Sequence, residues 1–275
     1  MLLEHQQYVL DNYLSQTYLE IAQRLNLTKS CVASFLFDRK LKKGQFKKFS
    51  HNELYFSTLN NENSYWAGFL AADGFTRSKL NQLCLMLADK DIEHLKLFKD
   101  SIKYTGEIKV SSEKKKSSKY KQPIYHRCYV NICSAKNVIN DLKTYFNITD
   151  CKSLTYIPPT TLEHNYKLSF IKGLIDGDGT IYVDSNNRLQ FSICGTEETC
   201  NFICKEFDNI SPSKSRSKPR RKNIKSDKNH FTYKVTGIRA YKILSLLNSI
   251  KTPILLRKWD SLDRCLTKRK LRKSL

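Results

Sequence analysis

The chain has 275 residues, enough for two domains with packed cores, and its 48 Lys and Arg against 26 Asp and Glu leave a net charge of +22. Such an excess goes beyond what solubility requires and points to a polyanionic partner, because each phosphate neutralised by a protein cation releases condensed counterions. No apolar run approaches the roughly 20 residues that span a bilayer, and Met1–Leu10 lacks a signal-peptide core, so a soluble intracellular protein of a cytoplasm or an organelle, not a secreted one, is expected.

From Ser15 to Leu25 the apolar positions Leu19, Ile21, Ala22 and Leu25 fall at helical spacing. Asn26-Leu27-Thr28 interrupts them, and Val32, Phe35 and Leu36 resume the pattern. Two short helices with a tight turn are predicted, and the arrangement resembles a helix-turn-helix in which Val32 packs against Ala22. Thr28 would cap the second helix, leaving Lys29, Ser30, Ser34 and Arg39 to face a major groove. Lys40–Lys48 holds five lysines and one glycine, which suits a basic linker, so residues 1–48 form a small all-α module with its tether.

Beyond it the chain repeats itself. Trp66-Ala67-Gly68-Phe69-Leu70-Ala71-Ala72-Asp73-Gly74 returns as Ile171-Lys172-Gly173-Leu174-Ile175-Asp176-Gly177-Asp178-Gly179, with Asp73 and Asp178 105 residues apart. Two copies of one supersecondary unit follow, over 49–160 and 161–275. After each motif an alternating run predicts a half-buried strand, Leu83, Leu85 and Leu87 in one copy and Leu189, Phe191 and Ile193 in the other. Helices then start near Asp91 and near Thr196, with Leu95, Phe98 and Ile102 answered by Phe202, Ile203 and Phe207. Next come Lys114-Lys115-Lys116 and the stretch Lys214 to Arg221 at overlapping offsets from the motif aspartates. Alternation resumes at Tyr125–Ile132 and His230–Val235, so each basic loop should join two strands of a hairpin and grip a backbone symmetrically about a centre. Closing helices are predicted at Ala135–Phe146 and Ile238–Leu247. Lys152 lies 79 residues past Asp73 and Lys258 80 past Asp178, so a cation repeats with each carboxylate, although Arg257 competes with Lys258. Nine cysteines form no CxxC pair and their odd number fits no closed disulfide set, which favours reduced thiols.

Two helices can cross closely only if their facing residues are small, as Ala67, Gly68, Ala71 and Ala72 are on one and Gly173 and Gly177 on the other. Asp73 and Asp178 would then end side by side. Two close carboxylates repel unless a cation lies between them, and hard oxygen ligands suit Mg²⁺.

On these motifs, their spacing and the order of strands and helices, the chain resembles a single-chain LAGLIDADG homing endonuclease over about residues 61 to 270, with an added N-terminal helix-turn-helix. The resemblance implies an α+β fold of two tandem αββαββα repeats around a pseudo-twofold axis, a saddle whose sheets lie along the major groove. It implies a monomer that makes a double-strand break with 3′ overhangs in a long, asymmetric double-stranded DNA site. Asp73, Asp178, Gly74 and Gly179 would hold Mg²⁺, for which Mn²⁺ can substitute, while Lys152 and Lys258 would orient water or neutralise the transition state. DNA contacts would come from Lys114, Lys115, Lys116, Lys119 and Arg127 in the first repeat, and from Lys214, Arg216, Arg220, Arg221 and Lys234 in the second. One departure is at the sixth motif position, where Ala71 stands opposite Asp176; a local structural role is expected for Asp176. Asp91 and Glu197, at similar offsets, could hold waters. A non-cleaving DNA-binding transcription regulator and an RNA maturase share the body and the basic surface, and are the competing expectations.

Overall fold

The computed structural model describes residues 1–13, 15–41, 49–114, 124–212, 218–221 and 229–273, and the chain divides into two units, Met1–Phe49 and Ser50–Leu275.

In the first unit, helices α1 (Leu3–Asn12), α2 (Tyr18–Arg24) and α3 (Lys29–Asp38) enclose Val9, Ile21, Ala22, Val32, Phe35 and Leu36. The α2–α3 pair follows the expected apolar spacing. Thr17 caps α2 in a reciprocal box with Glu20, and Thr28 accepts a hydrogen bond from the Cys31 amide to cap α3. Between them Asn26 takes φ of 53°, a left-handed conformation that asparagine tolerates and that ends α2. Helix α1 is an addition to the sequence reading, placed by burial of Val9 in this cluster.

The second unit contains the repeat, as α4 (Asn61–Asp73), β1 (Gly74–Arg77), β2 (Gln82–Ala88), α5 (Ile92–Ser101), β3 (Lys109–Lys114), β4 (Ile124–Ile132) and α6 (Lys136–Phe146). Its second copy runs through α7 (His164–Asp178), β5 (Gly179–Val183), β6 (Leu189–Gly195), α8 (Glu197–Ile210), β7 (Arg220–Arg221), β8 (Phe231–Thr236) and α9 (Gly237–Ser249). Both antiparallel sheets have the same order, β1-β2-β4-β3 and β5-β6-β8-β7. The predicted inward positions are buried, Leu83, Leu85 and Leu87 in β2 and Leu189, Phe191 and Ile193 in β6, but the alternation is incomplete because Cys84 and Gln190 between them are buried as well. Helices α5 and α6 cover the first sheet, and α8 and α9 the second. Each fully buried side chain of this size contributes about 1.5–3 kcal/mol of transfer free energy. A further helix, α10 (Leu256–Lys273), packs on β5 and was not anticipated.

Helices α4 and α7 form the centre. Asn63 to Ala71 and Leu168 to Asp176 are buried on every side, as expected of helices apolar all round. Their crossing is reciprocal. A methyl group at Gly68 would overlap the carbonyl oxygen of Phe170, and one at Gly173 would overlap that of Tyr65, the residue 105 positions before Phe170. The backbones therefore touch at equivalent points, as two copies related by an approximate twofold must.

Candidate active site

Asp73 is the last residue of α4 and Asp178 the last of α7, each followed by a glycine that opens a strand. Five residues past the Gly68–Gly173 contact, the two helix ends lie together. A methyl group built at Gly177 would overlap the Ala72 side chain and stand 3.5 Å from Asp73 Oδ2. Gly74 and Gly179 have extended rather than left-handed backbones; what demands glycine there is the preceding turn, since a methyl group would fall 2.8 Å from the Leu70 carbonyl or 2.6 Å from the Ile175 carbonyl.

A carboxylate at a helix C-terminus faces the negative end of the dipole, which is the unfavourable position for an anion. Here two anions share two such ends. Both side chains keep access to solvent, yet the protein around them removes enough water to raise their pKa values. Asp178 is pushed up to about 6 by desolvation and then by the Asp73 charge, against the lowering pull of Lys258 and Lys152. Asp73 is raised mainly by desolvation, with the same two lysines opposing. Such a pair is poised to gain from a cation.

The lysines come from outside the motif helices. Lys152 follows Cys151, whose φ of 58° turns the chain into a short 3-10 segment, and its buried ammonium donates to the Gly74 carbonyl. Lys258, in the first turn of α10, donates to the Gly177 carbonyl at 2.6 Å and the Ile175 carbonyl at 3.3 Å. Desolvation lowers both lysine pKa values; Asp178 and Asp73 pull Lys152 back up, and Asp176, then Asp73 and Asp178, do so for Lys258. Arg257 and Lys258, competitors in the sequence, point to different partners. Arg257 turns the other way and forms a bidentate pair with Asp91, both bonds 2.6 Å. Asp91 is thus an arginine partner, while Glu197 only starts α8.

Asp73, Asp178, Lys152 and Lys258 are therefore electrostatic neighbours. An open cleft of about 260 Å³ reaches two of them, Asp178 and Lys152, and is lined further by Tyr156, Cys194, Thr199 and His230. The Gly74, Ile175 and Gly177 carbonyls are taken by the two ammonium groups, so the donors left for a cation are the two solvent-accessible carboxylates, hard oxygen ligands of the kind that suits Mg²⁺ or Mn²⁺. Among the described residues no group of three or more His, Cys, Asp or Glu gathers at any point, the motif centre included, where the side-chain carboxylates number two. Cysteines 31, 84, 128, 133, 151, 194, 200 and 204 are free thiols.

Asp176 is engaged in a network that sequence reasoning did not reach. Wholly buried, it accepts hydrogen bonds from the Tyr65 hydroxyl at 2.6 Å, the Leu255 amide at 2.8 Å and the Trp259 indole at 2.6 Å. Since the Tyr65 proton goes to Asp176, His94 Nε2 donates to the Tyr65 oxygen at 2.9 Å, which places a proton on Nε2. Burial pushes the His94 pKa down to about 4, with Asp91 opposing. The unfolded ring titrates near 6.5, so between that pH and about 4 the unfolded chain binds a proton that the fold does not, and stability falls as pH drops through this window. The contribution is on the order of 3 kcal/mol. In urea titrations at pH 7 and pH 4, His94→Gln should lose less stability than wild type; equal losses would contradict the neutral-ring assignment.

The predicted DNA contacts divide by location. Arg127 stands on the solvent face of β4 in register with Ala88 and Ser111, and Lys234 occupies the matching face of β8 opposite Ser192. Arg220 pairs with Thr232 on that same face, whereas Arg221, opposite Phe231, points to the other side of the strand pair. Lys29, Ser30 and Ser34 are exposed on α3. Arg39 is exposed too but occupied, donating to Gln6 at 3.0 Å and lying 3.8 Å over the Phe35 ring. Lys114 ends β3. Lys115, Lys116, Lys119, Lys214 and Arg216 lie outside the described residues.

No family model matches the sequence, and no curated protein matches it. Among solved structures, the LAGLIDADG meganuclease I-CpaMI, determined bound to uncleaved DNA, matches with a TM-score of 0.50 at 13% identity, covering 79% of this chain and 93% of its own. The chain has the LAGLIDADG fold. Full-length DUF199/WhiA from Thermatoga maritima matches at a TM-score of 0.45 and 17% identity over 79% of this chain and 65% of its own. Mesophilic variants of the homing endonuclease I-DmoI match at 0.38 and 12%, over 74% and 94%. Within the LAGLIDADG fold the motif helices are α4 and α7, and Asp73 and Asp178 stand at the eighth position of each motif. Among the described residues no helix is long and apolar enough to cross a membrane.

Proposed function

We propose that this chain is a site-specific endonuclease that hydrolyses phosphodiester bonds in both strands of a DNA duplex with the help of Mg²⁺. The observation that carries the reading is the meeting of Asp73 and Asp178 at two helix ends, with Lys152 and Lys258 beside them. A fold alone does not require two partly desolvated carboxylates where helix dipoles disfavour them. A nuclease does.

In this reading Asp73 and Asp178 hold the divalent ions; the Gly74 carbonyl, expected from the sequence to join them, is taken by the Lys152 ammonium. When bound, such ions activate water and offset charge that develops on the phosphate. The protein's part is to orient. Lys152 and Lys258, pinned to main-chain carbonyls, present fixed positive charge to the scissile phosphates without a cost of reorganisation. The two sheets present Arg127, Lys234 and Arg220 from equivalent faces, for phosphate contact and groove readout on either side of the centre. Because the two copies differ in sequence, the preferred duplex is asymmetric, and one chain suffices. In the first unit α3 supplies Lys29, Ser30 and Ser34 to an adjacent major groove as a helix-turn-helix.

The test is selection of cleaved molecules from a randomised duplex library. Incubation with Mg²⁺ should enrich one sequence cut in both strands, and EDTA should abolish the enrichment. Tight binding to a selected duplex, with neither strand nicked in Mg²⁺ or Mn²⁺, would instead favour a non-cleaving regulator.

A further inference from the structure

The two lysines of the centre are held in place by unrelated means. Asp176, on α7, bonds to Leu255 and Trp259, the residues that flank Arg257 and Lys258 in the chain. With both flanks tied to one buried carboxylate, the segment between them has little freedom. It turns Arg257 toward Asp91 and Lys258 toward the Gly177 and Ile175 carbonyls. The third bond, from Tyr65, ties the arrangement across to α4 of the other repeat.

Nothing equivalent serves Lys152, because the position matching Asp176 is Ala71. A different aspartate acts there. Asp150, two residues before Lys152, accepts from the Thr76 hydroxyl at 2.6 Å, the Ser78 amide at 2.9 Å and the Ser78 hydroxyl at 3.0 Å. These bonds tie the approach to Lys152 to β1 and the turn after it, the strand whose first carbonyl Lys152 itself grips. Asp150 is exposed and belongs to the first repeat, while Asp176 is fully buried and belongs to the second. The two anchors share no partner.

We propose that Asp176 is the positioning residue for Lys258 and Asp150 its counterpart for Lys152, so that the two cleavage centres are set independently, one for each strand. This deepens the nuclease reading and rests on it. A group displaced by about an ångström from productive geometry can lose on the order of a hundredfold in rate, so loss of one anchor should show on one strand.

The experiment uses the full chain, Mg²⁺ and a target duplex from the library selection, its two strands carrying different fluorophores, with both cleavage rates read on one denaturing gel. Asp176→Asn faces buried donors with an amide that can satisfy only some of them. It should slow one strand by about tenfold relative to the other, with Asp150→Asn shifting the ratio the opposite way. Trp259→Phe, which removes only the indole bond, should shift the ratio in the same direction as Asp176→Asn and carries the test if the latter does not fold. Equal slowing of both strands, or shifts in one common direction, would mark both aspartates as general scaffold residues and overturn the inference. Wild-type protein that cuts neither strand would overturn the nuclease reading itself; wild-type cleavage with an unmoved ratio would overturn this inference alone.

Discussion

Asp178→Asn should lose at least about 10³-fold in cleavage rate while binding its target no more weakly than wild type. The two outcomes have different causes. Asparagine keeps the shape of the side chain but halves the negative charge that draws a divalent ion to the two helix ends, and without that ion the Lys152 and Lys258 charges remain the main electrostatic help for the phosphate. Binding follows the opposite logic. It depends on the cations of the sheet faces, and removal of an anion from the centre of a phosphate-binding surface reduces repulsion. The variant should fold as well as wild type in the absence of metal, because desolvation and Asp73 already hold the Asp178 carboxylate above its usual range and its charge is a cost to the native state. Single-turnover cleavage and fluorescence anisotropy on one duplex check both parts. Parallel loss of cleavage and binding would mean that Asp178 supports the fold instead.

Gly173→Ala should destabilise the second unit by about 2–4 kcal/mol, measured by urea denaturation. Two effects compete. Alanine is the better helix former by about 1 kcal/mol, which in an exposed helix would make the variant more stable. At this position, however, the new methyl group would overlap the Tyr65 carbonyl oxygen and fall 2.7 Å from the Phe69 amide nitrogen, both main-chain atoms that no rotamer change can move. Helices α4 and α7 must separate along much of their contact, and their buried aromatic neighbours lose packing on both sides. Sterics therefore win. The separation also carries Asp178 away from Asp73, so cleavage should fall even in the folded fraction. A variant more stable than wild type would show that the backbones do not touch at Gly173.

Those two residues illustrate what the sequence makes legible. The motif glycines, the repeated aspartate and the alternating strands are local patterns, and a repeat at a fixed offset of 105 residues converts each weak pattern into a pair. Strand order and helix order followed from them. Other features depend on which residues of distant segments meet, and no periodicity reports that. Arg257 and Lys258 are adjacent cations, equivalent by composition, and only the placement of Asp91 and of the α7 carbonyls separates them. Asp176 differs from its counterpart Ala71, which is visible in the sequence, but its donors Tyr65, on α4, and Leu255 and Trp259, around the start of α10, come from two distant segments that only the fold brings to it. Helix α10 escaped notice because Leu256–Lys273 is crowded with lysine and arginine, which obscures its apolar face, and Pro253 reads as the end of an element. Helix α1 offers little apolar surface beyond Val9 and its tyrosine neighbours, too short a signal to stand out.

The central claim is that the two motif aspartates are the reacting centre of a DNA-cleaving enzyme. It is tested most directly by running the library selection in parallel with wild type and with the Asp73→Asn, Asp178→Asn double variant, in Mg²⁺, and sequencing the ends produced. Wild type should enrich one asymmetric sequence cut in both strands, and the double variant, equally folded and equally able to bind that sequence, should enrich no cut ends. Cut ends enriched to the same extent by both proteins would contradict the account.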